Sequence, residues 1–332
     1  MPRISSSLCA ADRLGSARAR WGIGRMHYTV DPGLYALGQP DDTSPVLVTA
    51  NYKMSFDRLR SALPGRNAWI VALDTSGVNV WCAAGKGTFG TDELAKRIRS
   101  CKLDEVVSHR KLILPQLSAP GVSAHRVRTL TGFEVVYGPI LASDLPTFLD
   151  AGLKASAEMR RRRFPIGERL VLIPIEMVSA VKIALFVIPA FLLLSGLLRS
   201  GPIASNVMHS GLFAAFSIIA AILAGTVLTP LLLPWLPGRA FSFKGFVAGV
   251  FCFVATAVLY GLDPASISGF IETVSWFLMV PAAASYLAMN FTGASTYTSL
   301  SGVRKEMRWA LPAQIAAVSI GLVLWVASGL LS

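Results

Sequence analysis

One cysteine stands where a thiol could do chemistry. Residues Asn79 to Lys86 read N-V-W-C-A-A-G-K, with Cys82 at the centre. A thiolate can act as a nucleophile or a metal ligand when its surroundings favour it. A cysteine among apolar neighbours is more often an inert small hydrophobe, so composition alone leaves both readings open. The remaining cysteines, Cys9, Cys101 and Cys252, are scattered. Their spacing gives no disulfide framework, no zinc clamp and no iron–sulfur ligand run.

The elements around the motif sharpen the picture. Ala68-Trp69-Ile70-Val71-Ala72-Leu73 is an apolar run closed by Asp74, the pattern of a buried strand ending at a turn. Gly87 to Glu93 is a glycine-punctuated turn feeding a helix from about Asp92 to Ser100, capped at Thr91 or Asp92. Further strands are expected at Val46–Thr49, Lys111–Leu114 and Glu134–Tyr137. Helices are expected at Ser55–Leu63, from Ala119 to about Leu130, and from Asp144 or Pro146 onward. Strands alternating with helices argue an α/β domain, Rossmann-like, with a largely parallel sheet. Cys82 then lies beyond a strand end, where open sheets keep their ligand crevices. No G-x-G-x-x-G follows a strand, so a nicotinamide or flavin is not expected. Lys86 lies near glycines, but the spacing is not that of a phosphate-binding loop.

Composition divides the chain. Charges are spread through the sequence up to about Arg169 and nearly vanish from long stretches beyond Val171. We expect a lead-in at 1–43, irregular and poorly ordered over its first 22 residues, then a cytoplasmic domain at 44–158. A basic juxtamembrane linker at 159–172 leads to an all-α membrane domain at 173–332. Five spans fall near 173–198, 211–234, 245–262, 268–289 and 311–330. Each is long enough for a hydrocarbon core of about 30 Å at roughly 1.5 Å per residue. The first twenty residues carry arginines without an apolar core, unlike a cleavable signal. The net charge of +12 has its densest run at Arg160–Arg163, just before the first span. That placement fits the inner side of a membrane anchor. No aromatic–basic interleaving accompanies it, so no nucleic acid is expected as partner. Arg239 and Lys244, then Arg304, Lys305 and Arg308, fall in loops on the same side, against Arg199, His209 and Asp263 opposite. The expected location is the inner membrane, multi-pass, with the first domain in the cytoplasm and the C-terminus outside. Glu176, Lys182 and Glu272 are the few ionisable groups near or inside spans: pathway markers, or snorkelling interface residues. The hydroxyl-rich run Asn290–Leu300 could cap helix ends or dock a partner.

The signature N-V-W-C-A-A-G-K-G-T-F-G-T resembles that of the HgcA family, the corrinoid proteins of microbial mercury methylation. G-I-G-R-M at Gly22, S-P-V-L-V-T-A-N-Y-K at Ser44, S-H-R-K-L-I-L-P-Q at Ser108, V-V-Y-G-P at Val135 and N-F-T-G-A-S-T-Y-T-S-L-S-G-V at Asn290 carry the same resemblance. It extends through almost the whole chain. The first domain is in turn similar to the corrinoid-binding part of the corrinoid iron–sulfur protein of acetyl-CoA synthesis.

The resemblance implies a cobamide bound base-off (a cobalamin-like corrinoid), with Cys82 as lower axial ligand of its cobalt. It implies methyl transfer from a methyl-Co(III) cobamide to Hg(II), giving methylmercury. Small Ala83, Ala84 and Gly85 would let the segment approach the macrocycle; Asn79 would fix it and Trp81 shield it. Val80 and Lys86 complete the segment. Thr49, Asn51, Asp74, Thr75, Thr88, Gly138 and Pro139 follow strands, where the nucleotide tail and corrin amides could bind. With no cluster ligands in this chain, the implied reductant is a ferredoxin-like partner with two 4Fe-4S clusters (HgcB). The methyl donor would come from a methyl-folate pathway. A membrane-bound corrinoid carrier for general one-carbon transfer, and a transporter or scaffold with a ligand-sensing domain, are the alternatives.

Overall fold

The computed structural model describes residues 1–161, 164–262, 264–293 and 300–332. Arg162, Arg163, Asp263 and residues 294–299 of the hydroxyl-rich run lie outside the described residues. The chain forms two compact units, Met1–Arg163 and Phe164–Ser332.

The first unit is a six-stranded mixed sheet. Its strands are β1 (Arg3–Ile4), β2 (Gly33–Leu37), β3 (Val46–Ala50), β4 (Ala68–Leu73), β5 (Lys111–Leu114) and β6 (Glu134–Tyr137). The spatial order is β1-β2-β4-β3-β5-β6. β4, β3, β5 and β6 run parallel, while β2 pairs antiparallel to β4. Around them lie α1 (Ala10–Arg20), α2 (Lys53–Ser61), α3 (Val80–Lys86), α4 (Thr91–Ser100), α5 (Leu103–Val106), α6 (Ala124–Thr131) and α7 (Leu145–Asp150).

Central strands covered on both faces must be apolar throughout, and every residue of β3 and β4 is buried. Side chains alternate between two cores. Val46, Val48, Trp69, Val71, Leu73, Leu112 and Leu114 meet Ala83, Ala84, Leu94, Ile98 and Val127 of α3, α4 and α6. Leu47, Ile70, Ala72 and Ile113 meet Phe56 and Leu59 of α2 and Leu145 and Phe148 of α7. Fully burying a side chain of this kind contributes about 1.5–3 kcal/mol.

Residues 1–43 depart from the expected irregular lead-in. They supply β1, α1 and the edge strand β2. α1 has little apolar character; ion pairs hold it instead. Asp12 lies 2.6 Å from Lys53 Nζ and 2.7 Å from Arg60 Nη2, while Asp57 pairs with the same two cations. The expected helix from Ala119 also differs. A short turn at Gln116–Ser118 comes first, and α6 begins only at Ala124.

The second unit is helical. α8 (Ile166–Leu170) precedes α9 (Ile173–Leu198). The next stretch is α10 (Ile203–Asn206), α11 (Leu212–Ile222) and α12 (Thr229–Leu231), joined by π-helical turns at Val207–Gly211 and Leu223–Leu228. α13 (Phe241–Tyr260), α14 (Ile267–Met289) and α15 (Leu300–Leu330) complete it. Among the described residues, five helical stretches are long and apolar enough to cross a membrane: Ile166–Leu198, Ile203–Leu231, Phe241–Tyr260, Ile267–Thr292 and Gly302–Leu330. Small residues let backbones close in apolar surroundings. A Cβ on Gly249 would stand 2.6 Å from Pro281 Cα, and one on Gly245 2.7 Å from the Ala284 carbonyl. Two expected loop charges serve inside the unit. Lys244 is in α13, buried, and donates to the Leu233 and Leu236 carbonyls at 2.5 and 2.6 Å. Arg199, at the end of α9, lies 2.7 Å from Glu272 of α14. Lys182 is exposed on α9.

Candidate corrinoid site

The site is built at the carboxyl edge of the parallel strands. The chain leaves β3, crosses through α2 to β4 on one side, then passes over β3 to β5 on the other. In open sheets such a reversal is where a ligand crevice forms at the strand ends. The loops there are Asn51–Tyr52 after β3, Asp74–Asn79 after β4, Pro115–Val122 after β5 and Gly138–Pro139 after β6.

Cys82 sits in the first turn of α3 and is half-buried. Asn79 is the N-cap: its Oδ1 accepts from the Cys82 N–H at 2.9 Å. A cap of this kind stabilises a helix by about 1 kcal/mol. Here it also fixes the backbone of the candidate ligand. α3 ends at Gly87, whose φ of 85° is the left-handed conformation a helix stop favours. Thr88 is exposed, with its hydroxyl donating to the Ala83 carbonyl at 3.4 Å. Val80 and Trp81 are half-buried, and Gly85 and Lys86 are exposed.

Ala83 and Ala84 are buried at 0% and 4% exposure. Their small size seats α3 on its own domain. The Gly121 backbone comes so close that a Cβ there would stand 3.0 Å from Ala84 Cα and 2.3 Å from the Phe89 carbonyl. The sequence reading gave these alanines to the macrocycle side; burial puts their methyls in the core.

The remaining candidates divide. Asn51 and Thr75 are buried, and meet. Asn51 Oδ1 accepts from the Thr75 N–H at 3.0 Å and the Gly77 N–H at 3.2 Å. The Thr75 hydroxyl lies 2.9 Å from Asn51 Oδ1 and 2.7 Å from the Val78 carbonyl. Asp74 is exposed, and its Oδ1 accepts from the Ser76 N–H at 3.1 Å. Thr49 lies inside β3, opposite Ala72, because the ladder runs one residue further to Ala50 and Leu73. It therefore precedes the loop where it was expected. Gly138 and Pro139 are buried, with the Gly138 N–H donating to the Leu114 carbonyl at 2.8 Å.

Two further residues shape the loops. Glu93 Oε1 accepts from the Asp74 N–H at 3.0 Å and lies 2.7 Å from Arg97 Nη2. Arg160 Nη1 donates to Gln116 Oε1, so this member of the basic run is engaged within the first unit. Neither had a sequence signal beyond its charge. Cys101 follows α4, and burial raises its thiol pKa while nearby Arg97 works in the opposite sense.

Among the described residues, no group of three or more His, Cys, Asp or Glu gathers as a metal site. A single half-buried sulfur on a capped helix fits a metal that brings most of its donors in its own macrocycle.

Residues 24–149 match the family described as the CO dehydrogenase/acetyl-CoA synthase delta subunit. Among curated relatives, the acetyl-CoA decarbonylase/synthase complex subunit gamma of Methanopyrus kandleri is 32% identical over 123 residues, 36% of this chain and 26% of that protein. Its counterpart from Methanocaldococcus jannaschii is 32% identical over 127 residues, 38% of this chain and 26% of that protein. The corrinoid/iron-sulfur protein large subunit of Moorella thermoacetica is 29% identical over 126 residues, 37% of this chain and 28% of that protein. The chain thus spans about a quarter of the length of these relatives. The family match lies wholly within the first unit.

Proposed function

We propose that the first unit binds a cobamide at the carboxyl edge of its sheet, that Cys82 ligates the cobalt from below, and that the chain methylates Hg(II). The observation that carries this reading is Cys82 itself: a half-buried thiol on a capped helix, at the crevice of a domain similar to a corrinoid protein. Specificity for mercury rests on the resemblance of the Asn79–Lys86 signature and the motifs at Gly22, Ser44, Ser108, Val135 and Asn290.

A bound cobamide would supply methyl-transfer chemistry, with the ferredoxin-like partner as the source of the electrons that ready it for another methyl. Cys82 acts as a thiolate donor, and a metal favours that deprotonated form. Thiolate donation from Cys82 would suit transfer of a carbanion-like methyl to an electrophilic Hg(II). Asn79 holds the Cys82 backbone in place. Trp81, next in the chain and half-buried, would limit water at the sulfur. Gly85 and Lys86, both exposed, would offer the open side of α3 to the ring, while Val80 packs against the core. Asp74 and Thr88, both exposed, are available to polar groups on the corrin periphery. Methyl-folate chemistry supplies the methyl group, and the second unit anchors the site to the inner membrane.

The names of the relatives favour a second reading: a membrane-bound corrinoid methyl carrier whose acceptor is not mercury. One experiment separates them. The full chain is expressed anaerobically with and without the ferredoxin-like partner, and corrinoid content and methylmercury are measured. Co-purified corrinoid with methylmercury dependent on both proteins supports the first reading. Corrinoid without methylmercury supports the carrier. Absence of corrinoid after anaerobic reconstitution overturns both.

A further inference from the structure

We propose that Asn51 is a positioning residue for Cys82, fixing where α3 starts. The proposal rests on the corrinoid reading for its purpose, though its geometry concerns this chain alone. Asn51 is 6% exposed, and it joins the segments that border the crevice. Its N–H donates to the Leu73 carbonyl at the end of β4, and its carbonyl accepts from the Val30 N–H, both at 2.9 Å. Its side-chain oxygen faces three donors: the Thr75 and Gly77 amides and the Thr75 hydroxyl. That oxygen is therefore taken up by the Thr75–Gly77 turn. A buried acceptor replaced by nothing leaves such amides without partners in a site water does not reach easily.

The turn it holds is unusual backbone. Ser76 has φ of 53° and Gly77 of 71°. A Cβ at Gly77 would stand 2.9 Å from the Met26 carbonyl, so the turn also presses against the segment before β2. Left-handed non-glycine residues persist only where surroundings over-determine them. Asn51 does so here by holding the amides on either side of Ser76, while Asp74 Oδ1 takes the Ser76 N–H itself. From the turn the connection to the sulfur is short: the Val78 N–H donates to the Thr75 carbonyl at 3.1 Å, and Asn79 then caps Cys82. Moving Thr75–Gly77 moves the cap, and with it the thiol.

The test uses the full chain in detergent. Asn51→Ala removes the acceptor, while Asn51→Asp keeps an oxygen of the same reach. Two readouts on cofactor-free protein are decisive: amide exchange at 75–82, and the alkylation rate of Cys82. Asn51→Ala should speed both roughly tenfold or more, with Asn51→Asp close to wild type. After anaerobic reconstitution with cobamide, Asn51→Ala should bind the corrinoid but lose the spectrum of sulfur-ligated cobalt, and Asn51→Asp should retain it. Wild-type exchange, alkylation and spectrum in Asn51→Ala would overturn the proposal. So would equal damage in both variants. If Asn51→Ala fails to fold, Thr75→Ala takes its place. It removes the hydroxyl contact, so it should loosen 75–82 by about threefold, and unchanged exchange would count against the proposal. Should wild type bind no corrinoid, the function fails while the cofactor-free measurements still judge Asn51.

Discussion

At the scale of single residues, the proposed mechanism separates two similar cysteines. Cys82 and Cys101 are both half-buried, Cys82 in the first turn of α3 and Cys101 directly after α4. Only Cys82 borders the crevice at the strand ends. Cys82→Ala removes the sulfur and little volume, so the fold should lose about 1 kcal/mol or less. Methylmercury yield at matched protein level should fall by roughly 100-fold or more, exceeding the usual effect of changes beyond the ligand shell. Cys82→His keeps a ligand that is neutral and bulkier, and should leave activity between the two. Cys101→Ala should methylate as wild type does. Full activity in Cys82→Ala would remove the ligation mechanism, whereas lost activity with an unchanged cobalt spectrum would assign Cys82 to mercury instead. Cys101 also carries a pH prediction. Burial raises its pKa, outweighing Arg97, so in Cys82→Ala its alkylation should begin at higher pH than that of an ordinary thiol. A pH profile centred at or below the usual cysteine range would contradict this.

At the scale of elements, α1 depends on charge. Burial alone would raise the Asp12 pKa, but hydrogen bonds from Lys53, Arg60 and Cys9 outweigh it and hold the carboxyl well below its ordinary value. A depressed carboxylate stabilises the fold above its unfolded pKa of about 4, and that contribution is lost as pH falls toward the folded value. Asp12→Asn should cost about 2 kcal/mol and expose residues 10–20 to proteolysis at pH 7. Wild type should show the same cleavage only in strong acid, and equal resistance of the two proteins at pH 7 would sink the account. This dependence is also why α1 was illegible. A-A-D-R-L-G-S-A-R-A-R has no apolar stripe, and its partners Lys53 and Arg60 lie about forty to fifty residues away. β2 was hidden for a related reason: G-L-Y-A-L follows a turn-dense D-P-G and is made a strand by β4. By contrast, β4, β5 and β6 announced themselves as short apolar runs with turn residues after them, and the signature placed Cys82 beyond a strand end. What spacing could not supply was the direction of Ala83 and Ala84, or the Asn51 contacts, since both depend on chain segments folding back. The second unit gives an element-scale prediction too. Gly249→Leu must push Pro281 and Ala284 apart from α13, at a cost of about 1–3 kcal/mol, and should lower the melting temperature in detergent. Gly167→Ala, where a Cβ meets nothing within 4 Å, should not. Equal melting of Gly249→Leu and wild type would argue against the close α13–α14 packing.

For the whole molecule, charge and span number decide orientation together. If all five stretches cross the bilayer, the first unit and Ser332 would lie on opposite sides. The inner assignment follows from where basic side chains remain at the surface. Arg239, Arg304, Lys305 and Arg308 are exposed, on loops or helix starts that five spans would put on the first unit's side, as is Arg161, while Arg160 is held by Gln116. Lys244 no longer counts among them, since it caps the carbonyls of Leu233 and Leu236. Yet the opposite side loses its one arginine as well: Arg199 is largely buried against Glu272. The bias therefore strengthens once internal partners are subtracted. The proposed cytoplasmic side would also give Cys82 the reducing surroundings that the proposed thiolate ligand needs. The measurement is labelling of intact cells with a membrane-impermeant maleimide, in a background where exposed Cys9 is replaced by serine. Ser332→Cys should label from outside, while Arg239→Cys should label only after permeabilisation. Labelling of Arg239→Cys in intact cells, with protection of Ser332→Cys, would invert the assignment. Protection of both would reject an odd number of spans, placing Ser332 on the cytoplasmic side.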